Sequence, residues 1–336
     1  MRLESVISKI HLLLLVLAVF LLTACEKQRD MEIIRAISML PRQTEYTRDF
    51  ENWIAELNRR ADGKFRVIFV GGPEAIPTFE QADALRTGVV HMMFGPATYY
   101  IGLVPEVEAL FSSNLTPMQT RANGGIDLMD QIHREKLNAH YLARALYIEF
   151  HIFTRERPAL NSLGVPDLNG ESLRGGPVWR DFIGRLNANF VNVAAPDVYM
   201  ALERNMIQGV GWPIVGLADV SWHQHLQYRI DPGVFSSDVG VIFNHNKWQA
   251  LSPEIRKTLE TAAVEYEKES FHRFRGLTDK LDLELRSLGM QVVKLSGESE
   301  QKYRALANEV IWSRLQQRSP KHYEALREKF FKETSN

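Results

Sequence analysis

"KFRVIFVGGPEAIPTFEQADALRTGVVHMMF", residues Lys64 to Phe94, is the stretch from which the fold is read. "KFRVIFV" is dense in β-branched and aromatic residues, the composition of a strand. "GGPEAIP" closes it, since proline and paired glycines interrupt a ladder. "TFEQADALRTG" predicts a short helix with Gly88 past its last turn, and "VVHMMF" predicts the next strand. Toward the N-terminus, "EIIRAIS" (Glu32 to Ser38) reads as a strand that Pro41 prevents from continuing. Between the first two strands, Phe50, Trp53, Ile54 and Leu57 recur at helical spacing, and Gly63 stops the pattern. Strand–helix–strand–helix–strand at this spacing predicts an α/β lobe with a largely parallel sheet.

Toward the C-terminus, the pattern predicts a helix from about Thr116 to Lys136 and two strands, "AHYLARALY" and "EFHIFTR". A second alternating set follows from about Leu168: "SLRG", "RDFIGRLNA", "NFVNVA", "DVYMALERN" and "IQGVGW". The chain therefore reads as two α/β lobes. From Ser252 to Leu288 there is no proline after the opening Ser-Pro, and Ile255, Leu259, Ala262, Ala263 and Tyr266 mark one long helix with a Ser-Pro start. "MQVVKL" is a late strand, and two helices end the chain.

The first residues read differently. Arg2, Lys9 and His11 precede "LLLLVLAVFLL", eleven apolar residues from Leu12 to Leu22. That run is too short for a bilayer span of about 20 residues and suits a secretion signal. Thr23, Ala24 and then Cys25 look like a bacterial lipobox, in which Cys25 becomes a lipid-bearing first residue; an ordinary signal peptide with an incidental cysteine is the plainer reading. Cys25 is also the only cysteine among 336 residues, so no internal disulfide is available. Over all 336 residues the chain is 45% apolar and 24% charged, with a net charge of −1, which is an ordinary globular mixture and gives no support to nucleic-acid binding.

Reactive constellations are absent from the sequence. No Gly-x-Ser-x-Gly elbow, His-Glu-x-x-His or phosphate-cradling Gly-x-x-x-x-Gly-Lys-Ser/Thr occurs, so no catalytic residue, metal or cofactor is assigned. "WHQH" (Trp222 to His225) puts His223 and His225 on one face if it is a strand, with a polar surface pair as the plain alternative. His91 and His151 fall within apolar strands, where a satisfied histidine is commoner than a base. What stands out are open loops after strands: "VGGPEAIP", "FGPATYY", "LRGGPVWR" and "VGWP". In open α/β sheets, ligands bind beyond the carboxyl ends of strands. Arg174, just before a Gly-Gly-Pro turn, can fork a carboxylate with two charge-assisted hydrogen bonds, with an ordinary surface or salt-bridged arginine as the plain alternative.

Read in order, these stretches resemble the extracytoplasmic solute receptors of tripartite ATP-independent periplasmic (TRAP) transporters. The resemblance rests on "LNRRADGKFRVIFV" with "GGPE", "FEQADALRTGVVHMMFGP", "RPALNSLGVPDLNGESLRG", "DVYMALERNMIQGVGWP" and "VGVIFNHNKWQALSPEIRKTL". It covers essentially all of the chain beyond the leader, and it assigns the family's hallmark arginine to Arg174. The chain departs from the family pattern at Gln208, where Asp is common, at Trp212, where Asn is common, and at His91, where Asp is usual. Phe150 or His151 replaces a second arginine found in some members.

The resemblance implies a two-lobe periplasmic solute-binding protein with a ligand cleft between the lobes and a long bridging helix. Its expected parts are a lipoprotein signal peptide (1–24), a linker (25–31), a first part of lobe I (32–150), lobe II (151–236), and the bridging helix, a return to lobe I and the C-terminal helices (237–336). It implies capture of a small organic acid and delivery to membrane permease subunits, with no bond made or broken. Arg174 would hold the carboxylate, Trp212 and Trp179 would wall an apolar cleft favouring a hydrophobic or aromatic acid, and Phe150, His151, Tyr99 and Glu74 would contribute around it. The expected location is the periplasm or cell surface, anchored through Cys25. The alternatives are a receptor of the same fold feeding a sensor or another transporter, and a lipoprotein enzyme acting on an acidic substrate.

Overall fold

The computed structural model describes residues 31–332, so Cys25 and the expected signal peptide lie outside the described residues. Strands β1 (Glu32–Ser38), β2 (Phe65–Gly71) and β3 (Met92–Pro96) pair in parallel, as the opening stretch predicts. Strands β7 (Ser172–Gly175), β8 (Asn189–Asn192) and β9 (Gly209–Pro213) form a second parallel group. Two long antiparallel strands, β4 (Ala139–Thr154) and β10 (Tyr228–Asn244), lie side by side between the groups. The far end of β10 pairs with β3, while the end of β4 pairs with β9. One nine-stranded sheet thus runs through both lobes in the order β2-β1-β3-β10-β4-β9-β7-β8, with β11 (Gln291–Lys294) beside the start of β10. Two-residue strands β5 (Ala159–Leu160) and β6 (Pro166–Asp167) make a separate hairpin. The lobes are two wings on a shared pair of strands.

Three of the predicted elements take a different form. "AHYLARALY" and "EFHIFTR" are one 16-residue strand rather than two. The join is a bulge at Leu146, whose φ of 54° takes it out of register with β10. Its freed N–H donates to Ser270 Oγ at 3.2 Å, so the interruption costs no unpaired backbone group. The helix expected over Thr116–Lys136 is two helices, Pro117–Ala122 and Gly125–Leu137, parted at Gly124 with φ 82°. A Thr116–Gln119 capping box starts the first of them. "WHQH" is a 3₁₀ turn over Trp222–Gln224 entered through Ser221 at φ 60°, so His223 and His225 do not share a strand face.

The long helix is Pro253–Ser287, 35 residues and roughly 52 Å at 1.5 Å per residue. Ser252 Oγ accepts from the Ile255 N–H and caps it. Its apolar stripe lies on β4 and on the helix Glu45–Arg60, where Tyr266 stacks on Trp53 and Phe274 on Tyr46. Each aromatic buried in this way contributes about 1.5–3 kcal/mol. Glu267, buried on the same helix, accepts two hydrogen bonds from Arg121 and one from the Arg144 N–H. That carboxylate fastens the long helix to β4 and to the helix Pro117–Ala122.

Candidate ligand-binding site

Alternation along the strands sorts the expected site residues onto two faces. Arg174 of β7 pairs with Val210 of β9, and two residues further along β9 stands Trp212, which pairs with His151 of β4. Residues paired or two apart share a face, so Arg174, Trp212 and His151 look the same way. Gly175, Gly211 and Phe150 look the other way, and there Trp179 packs. A Cβ on Gly211 would stand 2.6 Å from the Trp179 ring, and one on Gly175 would meet the Trp179 Cβ at 2.5 Å. Only glycine lets the indole lie flat on this part of the sheet. Trp179 stands edge-on to Phe150 at 6.0 Å and to Phe235 at 4.9 Å, inside the core.

Arg174 is 1% exposed. Its Nε donates to the Val193 carbonyl at 2.9 Å, and its Nη2 donates to the Tyr99 hydroxyl at 3.1 Å. The guanidinium stands beside the rings of Trp212 and Trp222, 5.3 and 5.6 Å from their centroids. Among the described residues no carboxylate pairs with it, and its Nη1 makes no hydrogen bond. Trp212 Nε1 is buried and likewise makes none. A buried cation facing neutral partners is costly, and an anion arriving there recovers that cost.

Contacts between the wings surround this cluster. Tyr99 lies in the 3₁₀ turn Ala97–Tyr100 that leaves β3, while Arg174 lies on β7. The Val178 N–H, in the turn after Arg174, donates to Thr98 Oγ1 at 3.2 Å. The Tyr46 hydroxyl donates to the Val215 carbonyl at 2.6 Å, and the Glu45 N–H donates to Asp219 at 2.7 Å. That last bond places a carboxylate of one wing at the start of a helix of the other, the end where a negative charge is favoured.

Other residues singled out from the sequence have their own partners. His151 donates from Nδ1 to Asp231 at 2.8 Å, although it shares the Arg174 face. Asp231 is also forked by Arg229 at 2.8 Å. Burial raises the Asp231 pKa, but His151 and Arg229 outweigh it and hold the carboxyl well below the usual range. His91 takes the Arg35 N–H on Nδ1, and burial and the Arg35 charge press its pKa down to about 4, so it is neutral. Glu74 is exposed and accepts from the Gly72 N–H at 2.7 Å, shaping its own turn away from the Arg174 cluster. Trp222 and Tyr46 also belong to this region, and no sequence motif singles them out.

Residues 37–318 match the bacterial extracellular solute-binding protein family 7. The chain belongs to that family. Among curated relatives of this family-7 protein is a monocarboxylate 2-oxoacid-binding periplasmic protein of Nostoc sp., 23% identical over 70% of this chain. The matched part spans 66% of that relative's length. Solved structures give the same fold. An extracytoplasmic solute receptor of Bordetella pertussis binding pyroglutamic acid superposes with a TM-score of 0.77 at 17% identity, over 89% of this chain and 99% of that one. A TRAP transporter solute-binding protein of Bordetella bronchiseptica, with copurified calcium and picolinate in its site, gives 0.77 at 20% identity, over 89% and 90%. Members of the family are solute-binding receptors. No helix among the described residues is long and apolar enough to cross a membrane.

Proposed function

We propose that this family-7 protein is a TRAP transporter receptor that captures a small organic acid and hands it to the membrane permease, with Arg174 holding the carboxylate. The observation that carries the reading is a buried guanidinium, 1% exposed, with no carboxylate partner among the described residues. Tyr99 supplies a hydroxyl from the opposite wing, and Trp212 an unspent indole N–H beside the cation. The contacts joining the wings become the closing contacts of a hinge that shuts over the ligand. Residues 32–150 and 237–336 form lobe I with its bridging helix, and residues 151–236 form lobe II. The division cuts β4, as expected where one sheet bends between two wings.

Calorimetry with a panel of small acids tests the reading. Arg174→Ala is expected to weaken the best-bound acid at least thirtyfold, and affinity within threefold of the parent overturns it. Cys25 supplies the lipid anchor in this reading. Cys25→Ser should release the folded protein from the membrane fraction or leave an uncleaved precursor; normal processing with retention at the membrane refutes the anchor.

A further inference from the structure

We propose that the ligand is a monoanion with an extended apolar body, which lies in a groove leading away from Arg174. The proposal rests on the reading of Arg174 as the carboxylate holder and goes on to name the class of acid. The groove holds about 560 Å³, with residues 77–79 of one wing on one side and residues between 192 and 206 of the other wing opposite. That volume is within the ordinary range for small-molecule pockets, roughly 300–1,000 Å³, and is far more than a two- or three-carbon acid requires.

Two links tie the groove to the cation. Phe79, which lines it, stands edge-on to Tyr99 at 5.5 Å, and the Tyr99 hydroxyl meets Arg174. Val193, also in its wall, takes the Arg174 Nε on its carbonyl. Three large apolar side chains of the wall remain open: Phe79 is 41% exposed, Met200 43% and Met206 65%. Apolar surface left open in one concave place marks a binding surface, and the flexible thioethers adapt to a body of variable shape. Its two charged lining residues, Asp197 and Arg204, have opposite signs, so the groove adds no net charge to attract a second carboxylate. Hydroxyls along the body would lie largely against the open faces of Phe79, Met200 and Met206 and find few partners there. Methylenes or a ring would gain from the same contact.

The test is calorimetric titration of protein freed of co-purified ligand with propanoate, pentanoate, heptanoate and gluconate. Affinity should rise about fourfold per added methylene, the fold-change that about 0.8 kcal/mol gives, and gluconate should bind more weakly than heptanoate. Met200→Ser combined with Met206→Ser, both at exposed positions, should cut the gain from propanoate to heptanoate below about tenfold. An unchanged gain in that variant, a flat series, or gluconate as the tightest ligand overturns the groove assignment. If binding still depends on Arg174 in those cases, the carboxylate receptor stands without it. Absence of any Arg174-dependent binding removes both.

Discussion

Arg229 and Arg174 are both sealed from solvent, 2% and 1% exposed, and both lie on strands of the same sheet. Their surroundings are opposite. Arg229 forks Asp231 and reaches Asp282 of the long helix at 2.5 Å, so its charge is met twice. Arg174 has a carbonyl, a hydroxyl and two indole rings. A third buried arginine, Arg144, shows that missing carboxylates alone do not make a site. Its Nη1 and Nη2 spread over the Leu115 and Leu110 carbonyls and the Ser113 and Thr120 hydroxyls, four neutral acceptors that disperse its charge, while its buried Nε has no partner. Among the described residues Arg174 has no carboxylate and only two neutral acceptors. Arg229 and Arg144 serve the fold, and Arg174 is the one we propose for a ligand.

The comparison breaks most sharply in stability. Arg229→Met leaves Asp231 and Asp282 facing each other without their cation, which is expected to cost about 3–5 kcal/mol of unfolding free energy in denaturant titration. Arg174→Met removes a charge that no carboxylate among the described residues neutralises, so its unfolding free energy should stay within about 1 kcal/mol of the parent. Equal destabilisation by the two variants would mean that Arg174 is a structural arginine.

Binding should reverse the order. Arg174→Met or Arg174→Ala is expected to cost about 2–5 kcal/mol of affinity for the cognate acid, roughly thirtyfold to several-thousandfold in Kd. Arg174→Lys should recover little, because the planar fork is lost with the guanidinium.

How far these roles were legible in the sequence depends on the element. The parallel groups were readable because each strand and helix announces itself with its own period and breaker, as "EIIRAIS" and "KFRVIFV" do. β10 was readable only at "VGVIFN", since Pro232 and Gly233 interrupt the pattern where the ladder itself lapses between Ile230 and Phe235. Arg174 was legible from its place before Gly-Gly-Pro. The resemblance makes Trp179 and Trp212 two walls of one cleft, yet they lie on opposite faces of the sheet. The clue was present in Gly175 and Gly211, which leave room for an indole on one face, but it takes the β7–β9 register to see that they stack. Nothing in a linear reading brings Trp222 to Arg174, because that contact is made by a 3₁₀ turn nearly fifty residues downstream.

Acid titration separates the neutral and charged ways of burying a titratable group. His133 is fully buried between the Met129 carbonyl and the Tyr100 hydroxyl, and burial lowers its pKa to about 4. The folded protein keeps it neutral, while the unfolded chain takes up a proton below about 6.5. Its stabilising contribution is therefore complete above pH 6.5 and is lost as pH falls toward 4, by up to about 3 kcal/mol. His91 titrates in the same window, so His133→Gln should flatten only part of the slope. Asp231, with its pKa lowered, contributes stability that is present above the ordinary aspartate pKa of about 3.9 and is lost only at lower pH. Denaturant midpoints at half-unit pH steps should show both phases in the parent and only the acid phase undiminished in His133→Gln. An unchanged slope between pH 6.5 and 4 in that variant would show that His133 does not titrate on unfolding.

The smallest effect concerns the one side chain that reaches Arg174 from the other wing. The Tyr99 hydroxyl accepts from Nη2 and still has its own proton to give. A carboxylate beside the guanidinium can take that proton as a hydrogen bond, so the hydroxyl serves cation and anion together only when the wings are closed. Tyr99→Phe removes both bonds while keeping the ring that packs on Phe79. With about 0.5–1.5 kcal/mol for a neutral hydrogen bond, affinity should fall roughly two- to twelvefold, far less than for Arg174→Ala. Calorimetry on Tyr99→Phe distinguishes two arrangements. A fall of this size places the hydroxyl on the bound acid. A rise in affinity would mean that the hydroxyl occupies the anion's place in the empty site and must be displaced, in which case Tyr99 belongs with the neutral acceptors around Arg144 and not with the ligand.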